Sequence, residues 1–191
     1  MSPEPRSRDE ENELSWQLRV YAWLVRRLLR PGRIAVALAG RLGVRYARFL
    51  SLRGIARRAL ERGDYDSAER LARELLTLAE EYRNDWNYGN AIHQGHVLLG
   101  RTALARGDVS RAASELLEAG RTPGSPQLNS FGPNMALARE LLQKGQTASV
   151  LEYFSLCRRF WMPQFAEAKL KEWESDVSAG REPSFGPHLV Y

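Results

Sequence analysis

The chain has little sulfur chemistry to offer. Its 191 residues include one cysteine, Cys157, so no internal disulfide framework exists and a reducing compartment suits it. Three histidines, at 93, 96 and 188, are too few and too scattered to compose a metal site with its third and fourth ligands, or a Ser/His/Asp set. No Gly-rich phosphate loop occurs in a strand-to-helix context. The longest uncharged apolar run, "IAVALAG", is seven residues, far below the roughly 18 that span a bilayer. The start, "MSPEPRSRDEENEL", lacks the basic-then-apolar order of a secretory signal. These absences point to a cytoplasmic, non-catalytic protein without metal or cofactor. An enzyme of uncharacterised type remains as a remote alternative.

Acidic residues are missing from one long stretch. Between Leu14 and Leu60 there are eleven arginines and no Asp or Glu, so the net charge of +5 arises there. Two amphipathic helices are expected in it. The first, 14–30, sets a wide apolar face against Arg19, Arg26, Arg27 and Arg30, with Trp16 and Trp23 at the boundary. The second, 33–52, carries the stripe Arg41, Arg45 and Arg48. Three readings stand. The pair packs on its own chain or on a second copy, with its arginines reaching out to water. It lies on an anionic membrane surface, at the inner face. Or its arginines bind nucleic acid, a reading that the apolar breadth of both helices disfavours.

What the rest of the chain contains is a repeat. "ALERGDYDSAERL" (59–71), "ALARGDVSRAASEL" (103–116) and "LLQKGQTASVLEY" (141–153) each place a glycine after an apolar helix end and a small residue five places later. Gly63, Gly107 and Gly145 are expected to end helices in the left-handed region. Asp64, Asp108 and, in the third copy, Thr147 are expected to cap the helices that follow. Ala68, Ala112 and Val150 let paired helices approach. Repeated hairpins of this kind stack into a shared core.

"GDYDSA" and the Leu99–Gly100 pair of "HVLLGRTALARGDVSRA" resemble the tetratricopeptide repeat family over residues 50 to 161. The spacings of 44 and 38 residues depart from that family's pattern, and the third copy lacks the Asp. Residues 84–161 also resemble a group of bacterial helical-repeat proteins with a similar Pro/Asn loop. The resemblance implies an all-α fold of three tetratricopeptide-like hairpins in a short α-solenoid that binds proteins. The expected plan is an acidic tail (1–13), a basic helical pair (14–50), three hairpins (51–161), a capping helix (162–180) and a tail (181–191). In the capping helix Phe165, Ala168, Leu170, Trp173 and Val177 form the expected apolar face. The tail either tucks back or hangs free, and His188 has no evident partner in it.

The extra length falls in two linkers. "EEYRNDWNYGNAIHQG" (80–95), which contains "DWNYGN" (85–90), is expected to be an extended helix with a break near Asn84–Asn90. "RTPGSPQLNSFGPN" (121–134) is expected to be an ordered insertion, with Pro133 in the first turn of the third hairpin. Both linkers are rich in amides and aromatics. Trp86, Asn87, Tyr88, Asn90, Gln127, Asn129, Phe131 and Asn134 therefore form a candidate surface for a protein partner. A purely structural reading stands beside it, in which the amides cap helix ends and lace the two linkers together. His93 and His96, three apart, are expected to make polar contacts between helices, and Cys157 to be a buried thiol.

Overall fold

The computed structural model describes residues 41–189. The acidic start and the segment 14–30, expected as a helix, with Trp16, Arg19, Trp23, Arg26, Arg27 and Arg30, lie outside them. The chain divides into two units, 1–47 and 48–191. Of the first, the described part is the opening of the first helix.

The described residues form α-helices and no strand: α1 (Arg41–Glu61), α2 (Tyr65–Glu81), α3 (Tyr88–Ala105), α4 (Val109–Gly120), α5 (Pro126–Phe131), α6 (Ala136–Leu142), α7 (Thr147–Cys157) and α8 (Pro163–Ser178). A 3₁₀ turn, Gly186–Leu189, follows. None of these helices is long and apolar enough to cross a membrane.

The boundary expected at 50/51 falls inside α1. From Arg41 on, the expected second basic helix and the first arm of the first hairpin are one continuous helix. Nothing between Arg41 and Glu61 stops it; Gly54, its one interior weak point after residue 43, costs only about 1 kcal/mol against Ala.

The three turns form as their glycines require. Gly63, Gly107 and Gly145 have φ of +77°, +84° and +74°. Asp64 accepts the Ser67 N–H at 3.1 Å and Asp108 the Arg111 N–H at 3.0 Å. The third turn differs from expectation. Gln146 occupies the cap position without a side-chain bond, and Thr147 is already the first helical residue. Ala68, Ala112 and Val150 are fully buried.

Packing follows the chain: α2 lies on α3, α3 on α4, and α4 on α7, with α6 between. At Gly100 a methyl group would stand 2.3 Å from Leu137 Cδ2, so only hydrogen fits where α3 meets α6. Charges tie the hairpins together. Glu69 of α2 receives Arg73, Arg106 and Arg111, and these bonds hold its carboxyl at about 2. Arg101 grips Glu140 of α6 through two nitrogens. Arg48 does the same to Glu74, at 2.7 Å for each bond. Arg48 is therefore committed to α2 rather than turned to a lipid surface. Arg45 is exposed, and the Arg41 side chain lies outside the described groups.

The far end is aromatic. Ala166, Leu170, Trp173 and Val177 bury one face of α8. Phe165 and Ala168, expected on that face, are exposed. Residues 166, 170, 173 and 177 share the inward stripe through their i, i+4, i+7, i+11 spacing, and 165 stands about 100° round the helix from 166. The tail tucks back. Phe185 packs edge-on to Trp173 with ring centroids 5.0 Å apart, and Trp173 Nε1 donates to the Ser184 carbonyl. His188 is buried and well partnered, contrary to expectation. Its Nδ1 donates to the Pro133 carbonyl at 3.2 Å, and its own carbonyl accepts the Met135 N–H at 2.8 Å.

Candidate functional site

The two linkers meet. After α2 ends, Asp85 Oδ1 accepts the Asn87 N–H at 2.8 Å and turns the chain into α3. Asn90, in the first turn of α3, then spends its whole amide. Its Nδ2 donates to Asn87 Oδ1 at 3.0 Å and to Gln127 Oε1 at 2.8 Å, and its Oδ1 accepts from Ser125 Oγ at 2.7 Å. Ser125 Oγ also accepts the Leu128 N–H, which caps α5, and Pro126 sits at that helix's start. Thr122 Oγ1 donates to the Gly89 carbonyl at 2.7 Å. A methyl group on Gly89 would lie 1.7 Å from the Gly124 oxygen, so backbone touches backbone here.

The long insertion is thus ordered and holds a short helix of its own. Pro133 does not open the third hairpin: α6 begins at Ala136, and Gly132 (φ +81°) and Pro133 form the bend between α5 and α6. Asn134 is buried in that bend. Its N–H donates to His93 Nε2 at 3.0 Å, its carbonyl accepts from Tyr153 Oη, and its Oδ1 accepts the Ala136 N–H.

The eight candidate residues therefore divide. Asn90 and Asn134 are buried and their hydrogen bonds are internal, so they lace the linkers and do not reach a partner. Asn87 is half-buried and engaged by Asn90. Tyr88 is half-buried, with its hydroxyl 3.3 Å from Glu80. Asn129 is half-buried, and its carbonyl accepts the Met162 N–H at 3.0 Å. Trp86, Gln127 and Phe131 face outward.

The Asn129–Met162 bond brings a segment that sequence reasoning missed. It sets the start of α8 beside the end of α5, and there Met162 and Phe165 are exposed. Among the described residues six large apolar side chains are exposed, and four of them, Trp86, Phe131, Met162 and Phe165, belong to these adjoining segments. The sequence signal was slight. "MPQF" opens a helix at a proline, and residues before and just inside such a start often face out.

The groups with reactive potential are enclosed. His93 is fully buried between the Ala119 carbonyl, 3.1 Å from Nδ1, and the Asn134 N–H. A carbonyl only accepts and an amide N–H only donates, so the ring is neutral with its hydrogen on Nδ1. Burial lowers its pKa to about 4. His96 donates to Glu115 at 2.7 Å, a contact between α3 and α4. Burial pushes the Cys157 thiol well above its ordinary range. Among the described residues no group of three His, Cys, Asp or Glu converges as a metal site. A cleft of about 290 Å³ lies between Leu60, Tyr65, Leu104, Arg101 and Glu140, where the guanidinium is already held by the carboxylate.

In comparisons with family models, curated proteins and solved structures, nothing matches the chain.

Proposed function

We propose that this chain is a non-catalytic adaptor of stacked, tetratricopeptide-like hairpins, and that it binds a protein partner on the edge carrying Trp86, Gln127, Phe131, Met162 and Phe165. The observation that carries the reading is the gathering of four exposed large apolar side chains on segments fixed by an internal hydrogen-bond network. Exposed apolar side chains standing singly are ordinary; several together on a rigid frame mark interaction sites. The frame matters because an ordered surface loses little conformational entropy on binding. The enclosure of His93, His188 and Cys157 also supports a binding rather than a catalytic role. The three turns with positive-φ glycines and buried small residues support the hairpin-array description.

The arginine-rich segment 14–40 is proposed to hold the adaptor at an anionic surface or in an assembly, on the strength of its unbroken positive charge.

The adaptor reading is tested by affinity capture of a defined interactor with wild type, Trp86→Ala and Phe131→Ala. Capture should fall in both variants while the circular-dichroism spectrum and unfolding midpoint stay close to wild type. Equal capture by all three would remove this edge from the account.

A further inference from the structure

The edge has a charge character as well as an apolar one. Two of the segments that build it, 121–134 and 158–166, contain Arg121, Arg158 and Arg159 and not one Asp or Glu; the third, 85–90, contributes Asp85, whose carboxylate accepts the Asn87 N–H. Two of these arginines are occupied. Arg121 pairs with Glu118, and Arg158 pairs with Glu174 at 2.5 Å and with Glu167. Arg159, three residues before Met162, is exposed and makes no ion pair among the described residues. The carboxylate nearest in sequence to Phe165, that of Glu167, is neutralised by Arg158 and by Lys171 at 3.6 Å. Two exposed amides flank the apolar groups. Gln127 gives its oxygen to Asn90, which leaves its NH₂ to donate outward, and Gln164 precedes Phe165.

Resting on the adaptor reading, we infer that the occupant is a short acidic segment of another protein bearing bulky apolar residues. Its apolar side chains cover Phe131, Met162 and Phe165. Its carboxylates face Arg159. Its backbone bonds to the amides of Gln127 and Gln164. A second copy of this chain fits less well, because the one carboxylate in these three segments, that of Asp85, already accepts the Asn87 N–H in its own linker. An anionic membrane fits less well too, because it draws on clusters of cations and this edge offers a single uncommitted one.

The test uses the full-length protein and fluorescein-labelled peptides of about a dozen residues, with Leu and Phe anchors flanked by Glu, by Lys or by Ser. Affinities are read by anisotropy. The acid-flanked peptide should bind at least about tenfold more tightly than the Lys-flanked one. Phe131→Ala and Phe165→Ala should each weaken it about tenfold. Arg159→Glu should reverse the order of the Glu- and Lys-flanked peptides. The variants are needed because the arginine-rich start of the chain attracts any acidic peptide. Such binding would survive all three substitutions, and that result overturns the inference. So does binding of phosphatidylserine vesicles, or self-association in sedimentation, that disappears in the same variants. If no peptide binds but a defined interactor is still captured through Phe131, the acidic-segment inference falls and the adaptor reading stands. If neither occurs, both fall.

Discussion

The backbone N–H of Asn134 lies 3.0 Å from His93 Nε2, across 41 residues of sequence. It pins the bend after α5 to the middle of α3, and it fixes the imidazole in one neutral form. Protonation would set a new N–H against the Asn134 N–H, and burial opposes the charge. The folded pKa is thus about 4, against an ordinary value of 6.5.

The sign of the pH effect follows. Above the unfolded value neither state holds the proton and the stability is complete. As pH falls from 6.5 toward 4, the unfolded chain takes a proton that the folded one refuses, and stability is lost. By pH 5 the loss should be about 2 kcal/mol. Burial lowers His188 too, with the same sign. Glu69 adds a loss of its own only below its ordinary value of 4.5, on the way to about 2. Urea unfolding at several pH values checks this. In His93→Leu the curve should be flatter between pH 7 and 5. Its stability at neutral pH should be lower by about 1–3 kcal/mol, because the Asn134 N–H is left buried without an acceptor.

A second prediction separates two kinds of glycine. At Gly63 (φ +77°) an added Cβ meets nothing within 4 Å, so Gly63→Ala should cost only the strain of the left-handed region, about 1 kcal/mol. At Gly89 the Cβ meets the Gly124 oxygen at 1.7 Å, and backbone must move. Gly89→Ala should cost more than Gly63→Ala and should raise hydrogen exchange at Gly124 to Asn134. Equal costs, with exchange unchanged, would mean the linkers are not held together as described.

The hairpins were legible because each rests on a local code. A glycine, an Asp cap and a small residue at fixed offsets specify the 63–68 and 107–112 turns without help from distant residues. The third turn, with Gln146 for Asp, kept the glycine and lost the cap. The edge was legible only in part. Asn-rich composition picked out two linkers that meet in the fold, but composition does not say which amides turn inward, and Asn90 and Asn134 did. Met162 and Phe165 were missed because their place depends on one long-range bond to Asn129. Phe165 also falls one position away from the true inward stripe of α8. The boundary expected at 50/51 lies within the continuous helix α1, three residues from the division between the two units at 47/48.

The continuity of α1 reshapes any truncation. A version starting at residue 51 would remove Phe49, which is fully buried and stacked on Tyr82 at 5.0 Å. A version starting at Arg41 keeps that contact. In vesicle flotation on anionic lipid at low salt, the full chain should float and the version from Arg41 should not, and high salt should weaken the effect. Equal behaviour of the two would remove the membrane role from segment 14–40.

The most direct test of the adaptor claim is site-specific photo-crosslinking in living cells. A benzophenone amino acid is placed at position 131, at 165, and, as a control, at the exposed Ser155 on α7. The account predicts one and the same protein adduct from 131 and 165, absent from 155. No adduct from either edge position, or the same adduct from 155, would contradict it.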